Sequence, residues 1–373
     1  MNARGEGGQS GTSRRLRVLF ICGAKADYPR NESLLAALRR HADVIEISSR
    51  FHSYLLRLPS VIGRLFLERR SFDMILVGFL AQPIVPFALL RHRKPLIVDM
   101  FISLSETLSE DRQTVGPRSF VGRLARWLDQ LSCSRAAKVL ADTPLDAEYL
   151  ADTFQIRPED VVPLYMGANE EIFQPQDDDG ASDRFLVLYY STYLPLHGVD
   201  VVVRAAKLLE EDGVHFRVIG RGMERPRIDR LAAEIGVRNC EFVDWVPYDE
   251  LPREIAAADV CLAGHFSTGN AKSERVIPGK AFQFIAMAKP TVLGDSPAVS
   301  AVFEHGKDGY LVRQGDPEAL ANAIRQLRDQ AELRRTLGER GRKLFQSRFD
   351  RETLSRELGA VLGEVAASTE LAR

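Results

Sequence analysis

Short apolar runs of β-forming residues alternate with helical patterns along most of the chain, and this alternation limits the possible folds more than any other feature. The run Leu16–Ile21 is followed by a helical segment and by a second predicted strand, DVIEI, at residues 43–47. These pieces make a strand–helix–strand unit of about 30 residues. The same alternation begins again at residues 185–190. Because alternating strands and helices build parallel sheets with helices on both faces, the pattern predicts two doubly wound α/β domains.

A polar segment, QPQDDDGASD at residues 174–183, separates the two halves and has the composition of a linker. At 373 residues the chain also exceeds one ordinary hydrophobic core. We therefore expect an N-terminal domain at residues 16–180 and a C-terminal domain at residues 183–345. The Gly- and Ser-rich residues 1–15 have no apolar core, so we expect a disordered lead-in and not a signal peptide.

The composition argues against several classes of protein. Fifty basic and 51 acidic side chains leave a formal net charge of −1, whereas a general nucleic-acid binder carries a basic excess. The four cysteines show no CxxC spacing, which argues against a disulfide framework or a zinc site and fits a reducing cytoplasm. They are Cys22, Cys133, Cys240 and Cys261. No run of 18 apolar residues exists that would span a membrane.

The most informative stretch is SERVIPGKAFQFIAMAKPTVL at residues 273–293, which predicts a polar loop, a short helix and a buried strand. Pro278 suits the first helical turn because its φ is already helical, and Gly279 lets the backbone approach a ligand closely. Lys280 adds a positive charge where free amides and the helix dipole already favour anions. We therefore predict a phosphate site here. The alternative is a purely structural helix start with Lys280 as a solvated cap.

Other candidate residues lie where predicted strands end, because parallel sheets bind ligands at the carboxyl ends of their strands. Gly23 follows the first strand, Asp99 ends the fourth, and Arg221 follows the second strand of the C-terminal half. Each has an ordinary alternative role. Gly23 suits a simple turn, and Arg221 has Glu224 and Glu241 as potential ion-pair partners.

Five pieces of the C-terminal half follow one another over residues 185–345: YLPLHGVDVVVRAAKLL, VIGRGMERPRIDRLA, FVDWVPYDELPREIAAADV, IPGKAFQFIAMAKPTV and FEHGKDGYLVRQGDPEALANAIRQL. In this order they resemble the donor-binding domain of glycosyltransferases with the GT-B fold, specifically the retaining enzymes of glycosyltransferase family 4. The N-terminal half resembles the family's acceptor domain more loosely. The resemblance implies two facing Rossmann-like doubly wound domains, with a C-terminal helix at residues 346–373 that crosses back to the N-terminal domain.

The resemblance also assigns roles in donor binding. The segment around Val246 corresponds to the one that lines the nucleotide base, and Lys280 and Gln283 correspond to the positions facing the phosphates and the ribose. With the residues named above, the implied donor site comprises Gly23, Thr192, His197, Gly198, Gly220, Arg221, Val246, Glu274, Pro278, Gly279, Lys280 and Gln283.

Three positions depart from the family's pattern. The glutamate usual at the ribose position is Gln283 here. The acidic position eight residues upstream falls on Arg275, with Glu274 beside it, so that a one-residue shift in the loop would restore the acid. Asp99 stands where family members often carry a histidine. We take Asp99 and Glu274 as the candidate catalytic residues.

Sugar transfer from a nucleotide diphosphate builds negative charge on the leaving phosphate. Arg221, Lys280, a protonated His197 and the amides near Thr192, Gly198 and residues 278–280 are available to stabilise it. No Asp-x-Asp pair stands in a suitable loop, so we expect a metal-independent enzyme with no cofactor besides the donor. The expected function is a hexosyltransferase-type glycosyltransferase. It would move a sugar from a UDP- or GDP-sugar to a glycan, lipid or small-molecule acceptor, with retention.

Two alternatives remain at this point. A nucleotide-sugar epimerase of the same fold needs acid/base carboxylates and a histidine in the cleft, and the sequence does not single out such a set. A catalytically weakened nucleotide-sugar binder is suggested by Gln283 and Arg275, which replace the family's acids.

Residues 55–70 mix Arg57, Arg64, Arg69 and Arg70 with large apolar side chains, so as a helix they would be basic and amphipathic. Each basic residue near an anionic membrane contributes about 1 kcal/mol to binding. Opposing this, Glu68 interrupts the cluster. We expect a cytoplasmic protein whose contact with the inner membrane face, if present, is weak and salt-sensitive. The alternative is a surface helix packed on its own sheet.

The C-terminal segment LSRELGAVLGEVA has the pattern of a helix with one apolar stripe that needs a packing partner. The stripe consists of Leu354, Leu358, Val361, Leu362 and Val365. The resemblance suggests that this partner is the N-terminal domain.

Overall fold

The structure is a computed structural model, and it describes residues 14–23, 28–51, 53–111, 115–176 and 184–371. Residues 1–13 of the expected lead-in and residues 177–183 of the expected linker lie outside the described residues.

The N-terminal half forms a parallel sheet of six strands in the order β2-β1-β3-β4-β5-β6. The strands are β1 (Leu16–Ile21), β2 (Ala42–Ile47), β3 (Met74–Val77), β4 (Leu96–Asp99), β5 (Lys138–Ala141) and β6 (Val161–Pro163). In the central strand β1, Leu19 and Ile21 face one side of the sheet, whereas Val18 and Phe20 face the other. Residues 18–21 are buried on both sides, which explains why this part of the strand is apolar on both faces, whereas Arg17 near its start is exposed.

Helices cover both faces of this sheet. They are α1 (Pro29–His41), α2 (Tyr54–Leu67), α3 (Val85–Arg91), α4 (Leu104–Glu106), α5 (Phe120–Arg135) and α6 (Pro144–Phe154). Helices α2, α3, α5 and α6 share one hydrophobic cluster with Leu19 and Ile21, whereas α1 packs on the opposite face with Val18 and Phe20. Residues 55–70 are therefore largely helical, with Val61 and Leu65 of α2 buried against the sheet.

The C-terminal half repeats the arrangement with the strand order β12-β11-β10-β7-β8-β9, again all parallel. Its strands are β7 (Phe185–Ser191), β8 (Val214–Gly220), β9 (Cys240–Val243), β10 (Val260–Gly264), β11 (Thr291–Gly294) and β12 (Tyr310–Val312). Its helices are α7 (Val199–Leu208), α8 (Arg225–Ile235), α9 (Leu251–Ala256), α10 (Ala271–Arg275), α11 (Gly279–Ala286), α12 (Pro297–Ser300), α13 (Pro317–Asp329) and α14 (Ala331–Arg348). Short 3-10 turns lie at Gln82–Ile84, Pro158–Asp160, Pro195–His197 and Glu210–Asp212, and a wider turn lies at Thr107–Asp111.

The last helix, α15 (Arg351–Leu371), follows the C-terminal domain in sequence but packs on the N-terminal sheet. The predicted apolar stripe of this helix is buried in the same cluster as Phe20 and Leu34. Ser355 Oγ lies 2.9 Å from His41 Nε2, and Glu364 pairs with Lys138 over 3.1 Å. Two doubly wound parallel sheets and this returning helix confirm the predicted fold class. Among the described residues, none of the helices combines the length and apolar character needed to cross a bilayer.

Candidate functional site

A cleft of about 300 Å³ lies between the two sheets, beyond the carboxyl ends of β7 and β8. Seven of the predicted donor-binding residues line it: Thr192, His197, Gly220, Val246, Gly279, Lys280 and Gln283. The N-terminal half supplies the opposite wall through Tyr28, Pro29, Phe101 and Met166. Residues far apart in sequence thus meet where ligands of doubly wound sheets bind.

Lys280 places an unpaired positive charge in this cleft. Its Nζ is buried and has no hydrogen-bond partner among the described residues. Two aromatic rings lie close to it: Nζ is 4.7 Å from the ring centroid of Tyr189 and 5.8 Å from that of Tyr190. Burial lowers the pKa of Lys280 to about 7, because a buried ammonium without a counter-charge is unfavourable. The site therefore favours an anion that would supply the missing charge.

Two stacked histidines adjoin this lysine. The rings of His197 and His265 are nearly parallel, with centroids 5.8 Å apart. Burial and the charges of Lys280 and Lys272 lower the pKa of His265 to about 3, and burial and the same lysines also hold the pKa of His197 well below its ordinary value. Both imidazoles are therefore neutral in this structure, so the protonated His197 expected from the sequence requires a bound anion to raise its pKa.

Two glycines shape the walls of the site. Gly198 has φ +64°, and a Cβ atom there would lie 2.5 Å from the Ser267 amide nitrogen, so only glycine fits. This residue is the N-cap of α7, whose first amides lie next to His197. A Cβ atom on Gly279 would lie 2.7 Å from Met166 Sδ. Because glycine has no Cβ atom, the two domains can approach closely here.

The helix start differs from the prediction by one residue. Pro278 is the N-cap, with φ −58° and an extended ψ of 121°, and α11 begins at Gly279. The proline φ is compatible with either position, and the extended ψ is what leaves Pro278 outside the helix. The lysine nevertheless stands in the first helical turn, as predicted.

Gln283 belongs to a buried hydrogen-bond network. The Tyr190 hydroxyl donates to Gln283 Oε1, and Gln283 Nε2 donates to Tyr248 Oη over 3.4 Å. Burial raises the pKa of Tyr248 to about 12, so this hydroxyl stays protonated. A neutral amide satisfies both tyrosines while it lines the cleft, which is a local reason for glutamine at this position.

Arg221 does not form the ion pairs that the sequence offered as an alternative. Glu224 pairs with Arg227 over 2.5 Å, and Glu241 pairs with Arg217 over 2.7 Å. The Arg221 guanidinium instead lies 5.3 Å from the ring centroid of Trp245, a residue that lines the cleft. An exposed indole with an arginine over it is a suitable surface for a flat ring such as a nucleotide base.

Asp99 is fully buried and forms an ion pair with Arg30 over 2.9 Å. Arg30 also donates to the Leu164 carbonyl oxygen over 2.7 Å. Asp99 is not among the described residues that line the cleft. Its catalytic role stays a prediction, and the role that its contacts support is neutralisation of a buried arginine. Gly23 does not line the cleft either. It packs against Leu80, and a Cβ atom on Gly23 would lie 2.1 Å from the Leu80 carbonyl oxygen.

Glu274 and Arg275 point in different directions. Glu274 is exposed, and Gln314, with its side-chain amide oriented as its neighbours require, donates to Glu274 Oε1 over 3.2 Å. Arg275 is buried and pairs with Glu106 and, over 3.0 Å, with Asp146, both in the N-terminal half. The one-residue shift that would place an acid at the Arg275 position is therefore not observed. The structure instead uses this position to join the two domains.

Three charged or titratable residues near the site were not predicted. His265 follows β10, Lys272 is buried in α10, and Asp142 follows β5. Asp142 Oδ1 has no hydrogen-bond partner among the described residues, and burial raises the pKa of Asp142 to about 7. Asp142 follows β5 just as Asp99 ends β4. Its position at the carboxyl end of a strand is therefore a sequence signal that could have identified it. Lys272 gave no such signal, because a lysine in a polar segment is usually solvated.

Comparison with known proteins relates both halves of the chain to glycosyltransferases. Residues 10–167 match the family model described as glycosyl transferase 4-like domain, and residues 184–330 match the model described as glycosyl transferases group 1. The C-terminal half is therefore similar to the group 1 glycosyltransferases, and the N-terminal half to the glycosyl transferase 4-like domain. Together the two matches cover most of both domains.

Two curated relatives come from Rhizobium meliloti. The lipopolysaccharide core biosynthesis glycosyltransferase LpsE is 26% identical over 290 residues, which are 76% of this chain and 79% of LpsE. The lipopolysaccharide core biosynthesis glycosyltransferase LpsD is 27% identical over 175 residues. This match spans 47% of this chain and 48% of LpsD, which is about half of that relative's length.

Among solved structures, Anabaena HepE in complex with UDP and glucose superposes with a TM-score of 0.70 at 17% identity. The match covers 94% of this chain and 100% of HepE. At this level of identity the likeness shows a common fold, which is the GT-B fold that the sequence resemblance predicted.

Proposed function

We propose that the protein is a glycosyltransferase that moves a sugar from a nucleoside diphosphate sugar to the hydroxyl group of an acceptor. The observation that carries the proposal is the buried, unpaired Lys280 Nζ at a helix start in the interdomain cleft. A diphosphate would supply the charge that this ammonium lacks. The exposed Trp245 and the Gln283 network lie along the same cleft, where a base and a ribose would extend from the phosphates.

The leaving nucleoside diphosphate gains negative charge during transfer, and the residues present are suited to stabilise it. Lys280 would pair with the phosphates directly, and the amides at the start of α7 and α11 would add hydrogen bonds. A bound diphosphate would also raise the pKa of His197, which would then donate a second charged hydrogen bond. On the basis of these groups we propose a mechanism without a metal ion. Retention of configuration and membership of family 4 are part of the proposal on the strength of the sequence resemblance.

A UDP-hexose is the donor that we favour over a GDP-sugar, because HepE, which shares the fold, binds UDP and glucose. The acceptor class that the relatives suggest is a glycan, since LpsD and LpsE act in lipopolysaccharide core biosynthesis. A lipid-linked or small-molecule acceptor is the broader expectation. A cytoplasmic location also belongs to the proposal, and the four free cysteines fit it.

A catalytically weakened nucleotide-sugar binder is the second candidate, and one observation favours it. Glu274 faces outward, and Arg275 is bound to the N-terminal domain. Neither position therefore supplies a carboxylate to the cleft. The epimerase alternative gains no support, because none of the described residues that line the cleft is a carboxylate.

A thermal-shift screen of UDP-, GDP-, ADP- and dTDP-sugars tests the proposal. A ligand present at about 100 times its dissociation constant stabilises the folded state by about 2.7 kcal/mol, so a true donor raises the melting temperature clearly. We expect the UDP-sugar to do so for the wild type and to have less effect on Lys280→Met. Release of UDP in the presence of a glycan acceptor would identify a transferase, whereas donor binding without turnover would favour the weakened binder. No shift with any of the four classes would refute both.

A further inference from the structure

The large hydrophobic residues that are exposed in the described chain are concentrated on one part of the molecule. Fifteen such residues occur, and eleven of them lie between Phe51 and Trp127. They belong to α2, α3, α5 and the residues next to these helices. Leu55 is 83% exposed, Leu90 79% and Phe120 74%. A soluble domain rarely exposes so many large apolar side chains in one region without a binding function.

These side chains share one surface because their helices form one layer. Helix α3 packs against both α2 and α5, and all three cover the same face of the N-terminal sheet. Val61, Ala88 and Cys133 point into the core from this layer, so the exposed residues of the same helices point away from it. We call this outer surface of α2, α3 and α5 the helix-layer face.

The helix-layer face is also strongly basic. Residues 50–70, 85–94 and 115–135 contain twelve arginines and lysines, of which Arg57 is buried, but only two acidic residues, whereas the whole chain has a net charge of −1. Of the two acids, Asp129 is buried and Glu68 pairs with Arg70. Among the described residues, the exposed Arg91 and Arg123 have no acidic partner. The positive charge of this face is therefore available to an external anionic surface.

We propose that the helix-layer face binds the surface of an anionic lipid bilayer. Apolar side chains would enter the boundary between headgroups and acyl chains, while the arginines remain at the level of the phosphates. Charge complementarity favours this occupant over a second copy of the chain. A two-fold dimer through this face would oppose the arginines of one copy to those of the other, and protein interfaces are depleted in charge at their core.

The structure extends what the sequence indicated. Residues 55–70 gave a single amphipathic segment, and part of its apolar content is now seen to be buried in the core. Helices α3 and α5 add Leu90, Phe120 and Trp127 to the exposed surface. None of these residues lines the interdomain cleft, so the chain can lie on a bilayer with its cleft open. The inference goes beyond the proposed function and needs no bound nucleotide.

Vesicle binding tests the inference with the full-length protein. We expect co-sedimentation with vesicles of phosphatidylcholine and phosphatidylglycerol at low salt, at least tenfold weaker binding to phosphatidylcholine alone, and weakening by added salt. The double variant Leu90→Glu/Phe120→Glu should lose at least tenfold in binding. Leu371→Glu is the matched control, because Leu371 is 91% exposed at the end of α15, outside the helix-layer face. Melting curves of the variants show whether each is folded.

The chain offers an internal reporter, because it contains only two tryptophans, Trp127 and Trp245. In Trp245→Phe the remaining Trp127 should shift to shorter emission wavelengths on anionic vesicles and be quenched by brominated acyl chains. In Trp127→Phe the remaining Trp245, which lies at the cleft, should show neither effect.

Three results would overturn the inference. They are no binding to anionic vesicles at low salt, equal binding by the folded double variant, and self-association that Leu90→Glu abolishes without any vesicle binding. Because the assay contains no nucleotide, its failure would leave the proposed function intact. Failure of the nucleotide screen would likewise leave the vesicle result intact.

Discussion

The buried arginine between the domains allows a quantitative prediction about stability. Arg275 of α10 pairs with Glu106 of α4 and Asp146 of α6, and its guanidinium carbon lies 3.7 Å from the ring centroid of Tyr149. Arg275, Glu106 and Asp146 are almost fully buried, whereas Tyr149 is half-buried. The Thr143 hydroxyl also donates to the Arg275 carbonyl oxygen. Arg275 of the C-terminal domain is therefore the cation that neutralises both carboxylates of this cluster.

Arg275→Met should destabilise the protein substantially. Removing one partner of a buried ion pair costs about 3–5 kcal/mol, because the remaining carboxylates are left without a counter-charge. At about 2 °C per kcal/mol for a large domain, the thermal transition should fall by about 6–10 °C. Arg335→Met is the matched control. Arg335 also pairs with two glutamates, but it lies at the surface of α14, so its loss should leave the transition unchanged.

The loss should also depend on pH. Burial raises the pKa of Asp146, and the charge of Arg275 opposes this rise. Without the arginine, the pKa of Asp146 in the folded state should rise further above its unfolded value. An acid with a raised pKa destabilises the fold at high pH, and the effect is relieved as the pH falls and the group is protonated. Differential scanning calorimetry should therefore find a larger deficit at pH 8 than at pH 5. A variant that melts like the wild type at both values would refute the reasoning.

Three further predictions concern the cleft and the last helix. Above pH 7 UDP binding should weaken by up to tenfold per pH unit, because Lys280, with a pKa of about 7, must take up a proton before it can pair with the diphosphate. The variant Lys280→Arg should remove this pH dependence in calorimetric titrations. Gln283→Glu places a carboxylate one helical turn from Lys280, so the onset of weakening should move to higher pH, and an unchanged profile would contradict this. Leu358→Ala should destabilise the protein to urea by about 2–5 kcal/mol, because Leu358 is fully buried, whereas exposed Leu371→Ala should have little effect; similar losses in both would argue against the packing of α15.

The fold was predictable because its signals are local. Apolar runs such as Leu16–Ile21 and the helices between them repeat in both halves, and parallel sheets follow from that alternation. Lys280 was predictable for the same reason: the Pro-Gly-Lys helix start is visible in three consecutive residues. The apolar stripe of α15 indicated that the helix needs a partner, although the choice of the N-terminal sheet came from the family resemblance.

What the sequence did not indicate depends on contacts between distant residues. Nothing near Arg275 in the sequence indicates that its partners are Glu106 and Asp146, which are 169 and 129 residues away. Asp99 was chosen as a candidate catalytic residue from its position at a strand end, and its pairing with Arg30 depends on how α1 packs. The helix-layer face was only partly visible for the same reason. Exposure of residues on three separate helices is a property of the folded layer and not of any one segment.

Calorimetric titration of UDP into the wild type and into Lys280→Met, at neutral pH and with the fold of both verified, tests the central claim most directly. We expect one UDP to bind per wild-type chain. Loss of the charged hydrogen bond should weaken binding by about 1.5–3 kcal/mol, which is about tenfold to hundredfold in the dissociation constant. Equal affinity of the two proteins for UDP, or no binding of UDP, GDP, ADP or dTDP to the wild type, would contradict the assignment of the cleft as a nucleoside diphosphate site.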